Sequence, residues 1–161
     1  MLIKDGAVAE DPFAELADDA ADPGGAIIVS FQRFLKNAEA LVARGAPVGV
    51  CLETADSPEA LGANVHKLAL IVLHIPHFKD GRAFSWARML RTRLGFKGEL
   101  RVSGHVLRDQ IAFYGRVGVN AFALSQNLSL GDFNAALKEF TDVYQPSVDG
   151  RETINELRAE R

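Results

Sequence analysis

The stretch Leu68-Ala69-Leu70-Ile71-Val72-Leu73 is the most hydrophobic in the chain, and its length suits a single β-strand. An unbroken apolar run of this kind is typical of a strand buried on both faces of a parallel sheet. Four further runs predict strands at residues 26–30, 47–52, 98–103 and 119–124. The run at 98–103 is polar enough that we expect it towards an edge of the sheet.

Helical patterns separate these strands. Residues 31–44 place apolar side chains at helical spacing, and Gly45 follows where a terminating glycine is common. The other predicted helices are a short one opened by Ser57-Pro58 and longer ones at residues 82–94, 106–116 and 129–146. The chain therefore alternates strand and helix five times.

Short links between alternating strands and helices predict parallel strands joined by right-handed crossovers. We therefore expect an α/β fold of five βα units. Two arrangements stay open, namely an open doubly wound sheet of the flavodoxin type and a partial β/α barrel. We favour the open sheet, because five units are too few to close a barrel alone.

The chain is expected to have three parts. Residues 1–25 are predicted to form a small N-terminal hairpin, with Asp5-Gly6 at its turn, and an acidic connector. Residues 26–146 are predicted to form a single α/β domain, and residues 147–161 a charged C-terminal tail.

Composition excludes several classes of protein. The 161 residues are 48% hydrophobic and 24% charged, which is typical of a globular protein rather than a disordered chain. The net charge of −3 argues against a strong nucleic-acid binder. The charge is uneven, however, because residues 1–25 carry −6 and residues 82–116, the basic segment, carry +6.

The sequence also predicts a compartment. Cys51 is the sole cysteine, so no intrachain disulfide forms, and its position within a strand predicts a buried, inert thiol. A reactive thiol would need a cation nearby. No run approaches the roughly 18 apolar residues that span a bilayer, and the N-terminus has no signal-peptide core. We expect a cytoplasmic protein with no membrane contact.

Binding sites in folds of this kind lie at the carboxyl ends of the strands. The polar segments at those ends are residues 51–53, 74–82, 103–108 and 125–127. We expect these four segments to converge.

One of these segments ends where a helix begins, and the free N–H groups of a helix start favour anions. The predicted ligand-binding residues are Asp80, Gly81, Arg82, Ser85, Arg101 and Arg108. In the competing structural interpretation Asp80 caps the helix, Gly81 turns the chain and Arg82 is solvated. Neither GxGxxG nor a P-loop motif occurs, so no nucleotide cofactor is predicted.

Two histidines, His77 and His105, are the candidate acid–base residues. His105 either works beside His77 or caps the following helix. His74 and His77 are three residues apart at a strand end, so they point to opposite faces, and we expect packing rather than metal binding.

Three segments are distinctive: residues 78–91 (FKDGRAFSWARMLR), residues 98–104 (GELRVSG) and residues 106–110 (VLRDQ). They resemble a bacterial family of unknown function that is encoded beside assimilatory sulfite reductase, some of whose members are labelled oxidoreductases. The family has no established catalytic residues, so the resemblance implies a context, sulfate assimilation, rather than a mechanism.

The resemblance reaches from the LIKDG start to the NAF segment at 120–122. The chain departs from the family pattern at His105, where an acidic residue is expected. It departs again at Val117 and Asn120, where Cys and Asp are usual. These departures argue against a shared role for an acid or a thiol at those positions.

Two functions from different classes follow. The first is a non-catalytic accessory or interaction protein of sulfite reduction, whose basic segment contacts an acidic partner or an anionic cofactor such as siroheme. The expected partner is sulfite reductase or another sulfur-assimilation protein. A plainer variant is a β/α domain that forms a homo-oligomer.

The alternative is a small enzyme that acts on an anionic sulfur or phosphate compound at the strand ends. Arg82 and Arg108 would hold the anion, with His77 or His105 as acid or base. No cofactor motif supports an oxidoreductase, so whether the chain is an enzyme stays open. Convergence of these four side chains on one concave pocket would favour the enzyme.

Overall fold

A computed structural model describes residues 1–124 and 128–159 of the chain as a mixed α/β fold built on one eight-stranded sheet. The strands are β1 (Leu2–Lys4), β2 (Ala7–Ala9), β3 (Ala14–Glu15), β4 (Ile27–Ser30), β5 (Val48–Leu52), β6 (Leu70–Ile75), β7 (Glu99–Gly104) and β8 (Ala121–Leu124). The five strands expected from the sequence are β4 to β8, each within two residues of its predicted bounds. The run at 98–103 was expected towards an edge, but as β7 it lies inside the sheet between β6 and β8, because its polar side chains occupy one face of the strand.

The helices are α1 (Phe31–Ala43), α2 (Arg82–Thr92), α3 (Ile111–Arg116), α4 (Leu130–Leu137) and α5 (Ile154–Ala159). Helices α1 to α3 lie between strands, and α4 and α5 follow the last strand. The connection from β5 to β6 is a 3₁₀ segment, Pro58–Lys67, rather than an α-helix, and a 3₁₀ turn, Arg108–Gln110, precedes α3. The helix predicted over 129–146 ends at Leu137, and Phe140 and Tyr144, which were expected on its apolar face, are exposed.

The strand order differs from the flavodoxin-like arrangement. Along the sheet the order is β2-β1-β8-β7-β6-β5-β4-β3, so β4 to β8 lie side by side in chain order. A doubly wound sheet needs a point where the order reverses, and β4 to β8 have none. The favoured open doubly wound sheet is therefore not confirmed, and the order agrees with the partial β/α barrel that we ranked second.

The sheet is also mixed rather than purely parallel. Strands β3 to β8 pair in parallel, whereas β1 pairs antiparallel with both β8 and β2. The predicted hairpin forms, and its turn places Asp5 at φ 50° and Gly6 at φ 79°. Since β1 bonds to β8, the hairpin extends the main sheet.

The helices cover one face of the sheet. Buried side chains of α1 to α4 share one core with alternate strand residues, such as Val50, Leu73 and Val102. The opposite side, which we call the open face, carries only a small apolar cluster of Ile28, Leu70 and Val72. When neighbouring strands follow chain order, right-handed crossovers place the connecting helices on the same face of the sheet.

The acidic connector, residues 11–25, crosses to the open face and is well anchored. Its short strand β3 pairs with β4, which the sequence did not predict. Arg33 donates to the carbonyl oxygens of Ala17 and Ala20, and Arg44 pairs with Asp22. The connector is therefore part of the sheet edge and lies over the open face.

Candidate functional site

A cavity of about 580 Å³ opens on the open face, towards the carboxyl ends of the parallel strands. Each of the five strands β4 to β8 contributes to its wall a polar or small residue, and the connector forms the opposite side. These wall residues are Ser30, Cys51, His74, Ser103 and Ala123. Its size falls within the range of small-molecule pockets, which is roughly 300–1,000 Å³. We call it the open-face cavity.

His74 and Ser103 form a polar pair in this wall. They are register partners on β6 and β7, so their side chains leave the same face of the sheet. The imidazole Nδ1 lies 3.1 Å from the Ser103 hydroxyl oxygen, within hydrogen-bond reach. Both side chains are partly exposed to the cavity. A ligand would therefore meet a hydroxyl and an imidazole side by side.

Arg101 lies two residues before Ser103 on β7, on the same face of the sheet, and its side chain is only 3% exposed. Its guanidinium donates to both oxygens of Asp11 at 2.6 and 3.0 Å, and to Glu99 at 2.9 Å. Glu99 in turn pairs with Lys4 at 2.9 Å. Two positive and two negative side chains therefore form one chain of ion pairs, and the net charge of this network is zero.

The pKa values of this network reflect the pairing. Burial alone would lower the pKa of Arg101, but the hydrogen bonds to Asp11 and Glu99 raise it. Burial would likewise raise the pKa of Asp11, but the hydrogen bonds from Arg101 and from the backbone N–H of Phe13 lower it. Each charged form is thus stabilised by its partner, as in a well-paired buried salt bridge.

Cys51 lines the same cavity but is not a poised nucleophile. Burial, followed by the negative charges of Glu53, Glu15 and Asp56, raises the pKa of its thiol to about 12. A thiol with a raised pKa stays protonated near neutral pH and reacts slowly. The inert thiol expected from the sequence agrees with this environment.

The anion site predicted at the start of α2 is occupied by the chain's own carboxylate. Asp80 accepts from the backbone N–H of Arg82 at 3.1 Å and from its guanidinium at 2.9 and 2.6 Å. These contacts hold the pKa of Asp80 below its usual range. Gly81 and Ser85 are exposed beside this pair.

The remaining predicted residues lie on exposed loops outside the open-face cavity. Arg108 pairs with Glu139 at 3.1 Å, and the ring of His105 packs edge-on against Phe78 at 5.2 Å. His77 is exposed. Of the six predicted ligand-binding residues, only Arg101 lines the cavity. Ligand binding by the other five stays a prediction.

Most of the positive charge in the basic segment is also compensated. Arg91 is half-buried and donates to the carbonyl oxygens of Phe96, Gly98 and Gly118. Ion pairs to acidic side chains are made by Arg82, Arg93, Arg101, Arg108 and Arg116. Within the described ranges only Arg88 and Lys97 of the eight bases lack such contacts, so no continuous basic patch results.

The expected convergence of the strand ends is met in part. Cys51, Glu53, His74 and Ser103 come from three of the four segments singled out in the sequence, and all line the cavity. The fourth segment, residues 125–127, lies outside the described residues. Ser30 also lines the cavity but was not among the predicted residues, although its position as the last residue of a predicted strand was a usable signal.

Among residues 1–124 and 128–159, no three His, Cys, Asp or Glu side chains are grouped to hold a metal ion. Within the same residues, every helix is too short or too polar to cross a membrane.

No curated protein matches the chain. One family model matches residues 49–155, and its description is "Bacterial protein of unknown function (DUF934)".

Proposed function

Since this chain belongs to the bacterial family DUF934, whose function is unknown, we propose its function from the site: it binds a small molecule in the open-face cavity. One observation supports this above all others. Five neighbouring strands each contribute a side chain to a single cavity at their carboxyl ends, which is where β/α folds bind ligands.

The chemistry of the wall supports the same proposal. Small-molecule pockets combine apolar walls with a few placed polar groups. Here His74 and Ser103 form a polar pair beside a space large enough for a ligand. If the bound molecule is converted, His74 is placed to move a proton, because its ring nitrogen is within reach of a hydroxyl.

The ligand class expected from the sequence was an anionic sulfur or phosphate compound held by Arg82 and Arg108. That class remains a proposal. Each of these arginines already has a carboxylate partner, so an anion would compete with Asp80 or Glu139 for the guanidinium. Sulfite, sulfate and nucleotide sulfates therefore belong in any ligand screen.

A thermal-shift screen of small metabolites tests the proposal. A ligand present at a hundred times its Kd stabilises the fold by about 2.7 kcal/mol, which raises Tm by about 5–10 °C. The variant Ala123→Leu places a larger side chain in the cavity wall and should lose most of the shift while keeping its circular dichroism. The matched variant Ala60→Leu, on the exposed surface, should retain it. A shift that survives in Ala123→Leu would place the ligand elsewhere.

We propose a second candidate, the accessory role in sulfite reduction, on a separate observation. Phe113 is 48% and Phe140 42% exposed, and their rings pack together with centroids 5.2 Å apart. Exposed aromatic pairs are frequent at the centre of protein interfaces. The partner expected from the sequence is sulfite reductase or another sulfur-assimilation protein.

Co-purification tests this second candidate. Tagged wild type should capture sulfite reductase from cells that express it, and the double variant Phe113→Ser/Phe140→Ser should not. If wild type captures none and deletion leaves sulfite reduction intact, the accessory role is wrong. That result would leave the cavity proposal untouched.

A further inference from the structure

We propose that the ligand of the open-face cavity is a small amine, with a cationic head group on an apolar body. This inference rests on the proposed function and adds to it the chemical class of the ligand. It departs from the anionic ligand expected from the sequence.

The first support is that Arg101 is already paired with carboxylates of the chain. Among the described residues that line the cavity, it is the only lysine or arginine. Its guanidinium already donates to three oxygens of Asp11 and Glu99, and the side chain is 3% exposed. An anionic ligand would have to break one of these buried pairs, which costs several kcal/mol. Arg101 is therefore unsuited to bind an anion.

The second support is the negative charge of the two other acidic residues in the cavity wall. Glu15 and Glu53 line the cavity from the connector and from the end of β5. Within the described part of the chain, neither carboxylate makes an ion pair or a side-chain hydrogen bond. The Arg101 network is neutral, so these two residues leave the cavity with a charge of −2.

The negative charges of these carboxylates act on Cys51 in the cavity wall. Cys51 is on β5, two residues before Glu53, and burial is the largest cause of its raised pKa, followed by the negative charges of Glu53 and Glu15. Burial opposes any charge, but the contribution of the two carboxylates opposes anions and favours a cation. A cationic head group at the same place would be stabilised.

The third support is the rest of the wall. Leu16, Ile28 and Val72 provide apolar surface beside the two carboxylates. Ser103 and His74 offer polar atoms that can accept a hydrogen bond from an ammonium group. A head group that donates hydrogen bonds, joined to an apolar body, matches both parts of this wall.

Three probes with one aromatic body separate the possibilities: 2-phenylethylamine, 3-phenylpropionamide and 3-phenylpropionate, which are cationic, neutral and anionic at neutral pH. We expect the amine to bind most tightly in calorimetry with the full chain. Glu15→Gln and Glu53→Gln should each weaken it by about fivefold, the effect of one nearby charge in a wet site. The matched control Glu152→Gln, on an exposed residue, should change nothing.

Each result decides the question. Preference for the propionate, or equal binding of all three probes, overturns the inference about charge and leaves the cavity as the binding site. Amine binding that survives in the double variant Glu15→Gln/Glu53→Gln also overturns it. If none of the probes binds and the metabolite screen gives no shift, the proposed function itself is wrong.

Discussion

Arg101 and Asp11 are 90 residues apart in the chain, yet the guanidinium of Arg101 donates to both carboxylate oxygens of Asp11, at 2.6 and 3.0 Å. This contact fastens the N-terminal connector to strand β7 across the open face. The ring of Phe13 lies 6.0 Å from the same guanidinium and adds to the contact. The connector is therefore a wall of the cavity, held in place by a buried cation.

Replacing Arg101 tests how much this cation stabilises the fold. Arg101→Met leaves Glu99, which is 7% exposed, with Lys4 as its only ion-pair partner in the described chain. Removal of one member of a buried pair costs about 3–5 kcal/mol. Urea unfolding should show a loss of that size.

The matched control is Arg93→Met. Arg93 pairs with Glu59 on the surface, where the two side chains are 68% and 54% exposed. Such a pair is worth less than about 1 kcal/mol. Equal losses in the two variants would contradict a structural role for Arg101.

The Asp11 contact predicts a dependence of stability on pH. Because the pKa of Asp11 is lower in the folded chain than in the unfolded chain, its ion pair contributes fully above the ordinary value of about 3.9 and is lost as pH falls through the folded value. Asp11→Asn removes this contribution at neutral pH. The Tm gap between wild type and Asp11→Asn should therefore narrow from neutral pH to about pH 3. A gap that stays constant would show that the charge of Asp11 does not stabilise the fold.

Much of the fold could be predicted because each strand and helix is a local pattern. The apolar runs of β4, β5 and β6 and the helical spacing in α1 and α2 depend on nearby residues only. Strand order is a property of the whole chain, and the flavodoxin-like order favoured from the sequence is not confirmed. One signal was present: β7 alternates polar and apolar residues in Glu-Leu-Arg-Val-Ser, which indicates a face without helices.

The position of the candidate site could be predicted from the sequence, but the ligand-binding residues that form it could not. The rule that sites lie at the carboxyl ends of strands selected Cys51, Glu53, His74 and Ser103, and all of them line the cavity. The more specific choice of Arg82 and Arg108 relied on their charge. Asp80 is two residues from Arg82, and the competing interpretation already placed it at the helix start. Glu139 becomes visible as a partner only in three dimensions, because it is 31 residues away from Arg108 in the chain.

Gly104 follows Ser103 at the edge of the cavity and should not tolerate a side chain. Its φ is +87°, and a Cβ atom there would lie 2.3 Å from the carbonyl oxygen of Ile75. The left-handed conformation alone costs a non-glycine residue about 1–2 kcal/mol, and the backbone clash adds to it. Gly104→Ala should therefore lose more than about 2 kcal/mol in urea unfolding.

Gly25→Ala is the control for this prediction. Its φ lies outside the left-handed range, and a Cβ atom would have no neighbour within 4 Å. We expect a change within about 0.5 kcal/mol. If Gly104→Ala proves as mild as Gly25→Ala, the tight contact between β7 and the end of β6 is not a constraint.

The rate at which the Cys51 thiol reacts reports on burial and negative charge in the cavity. Since its pKa is raised to about 12, the reactive thiolate is rare near neutral pH. Alkylation by iodoacetamide should be at least about a hundredfold slower in the folded chain than in urea. Glu53→Gln should speed the folded reaction, but only in part, because burial is the larger cause. Rapid labelling of the folded wild type, or a rate unchanged by Glu53→Gln, would show that the Glu53 carboxylate does not act on this wall of the cavity.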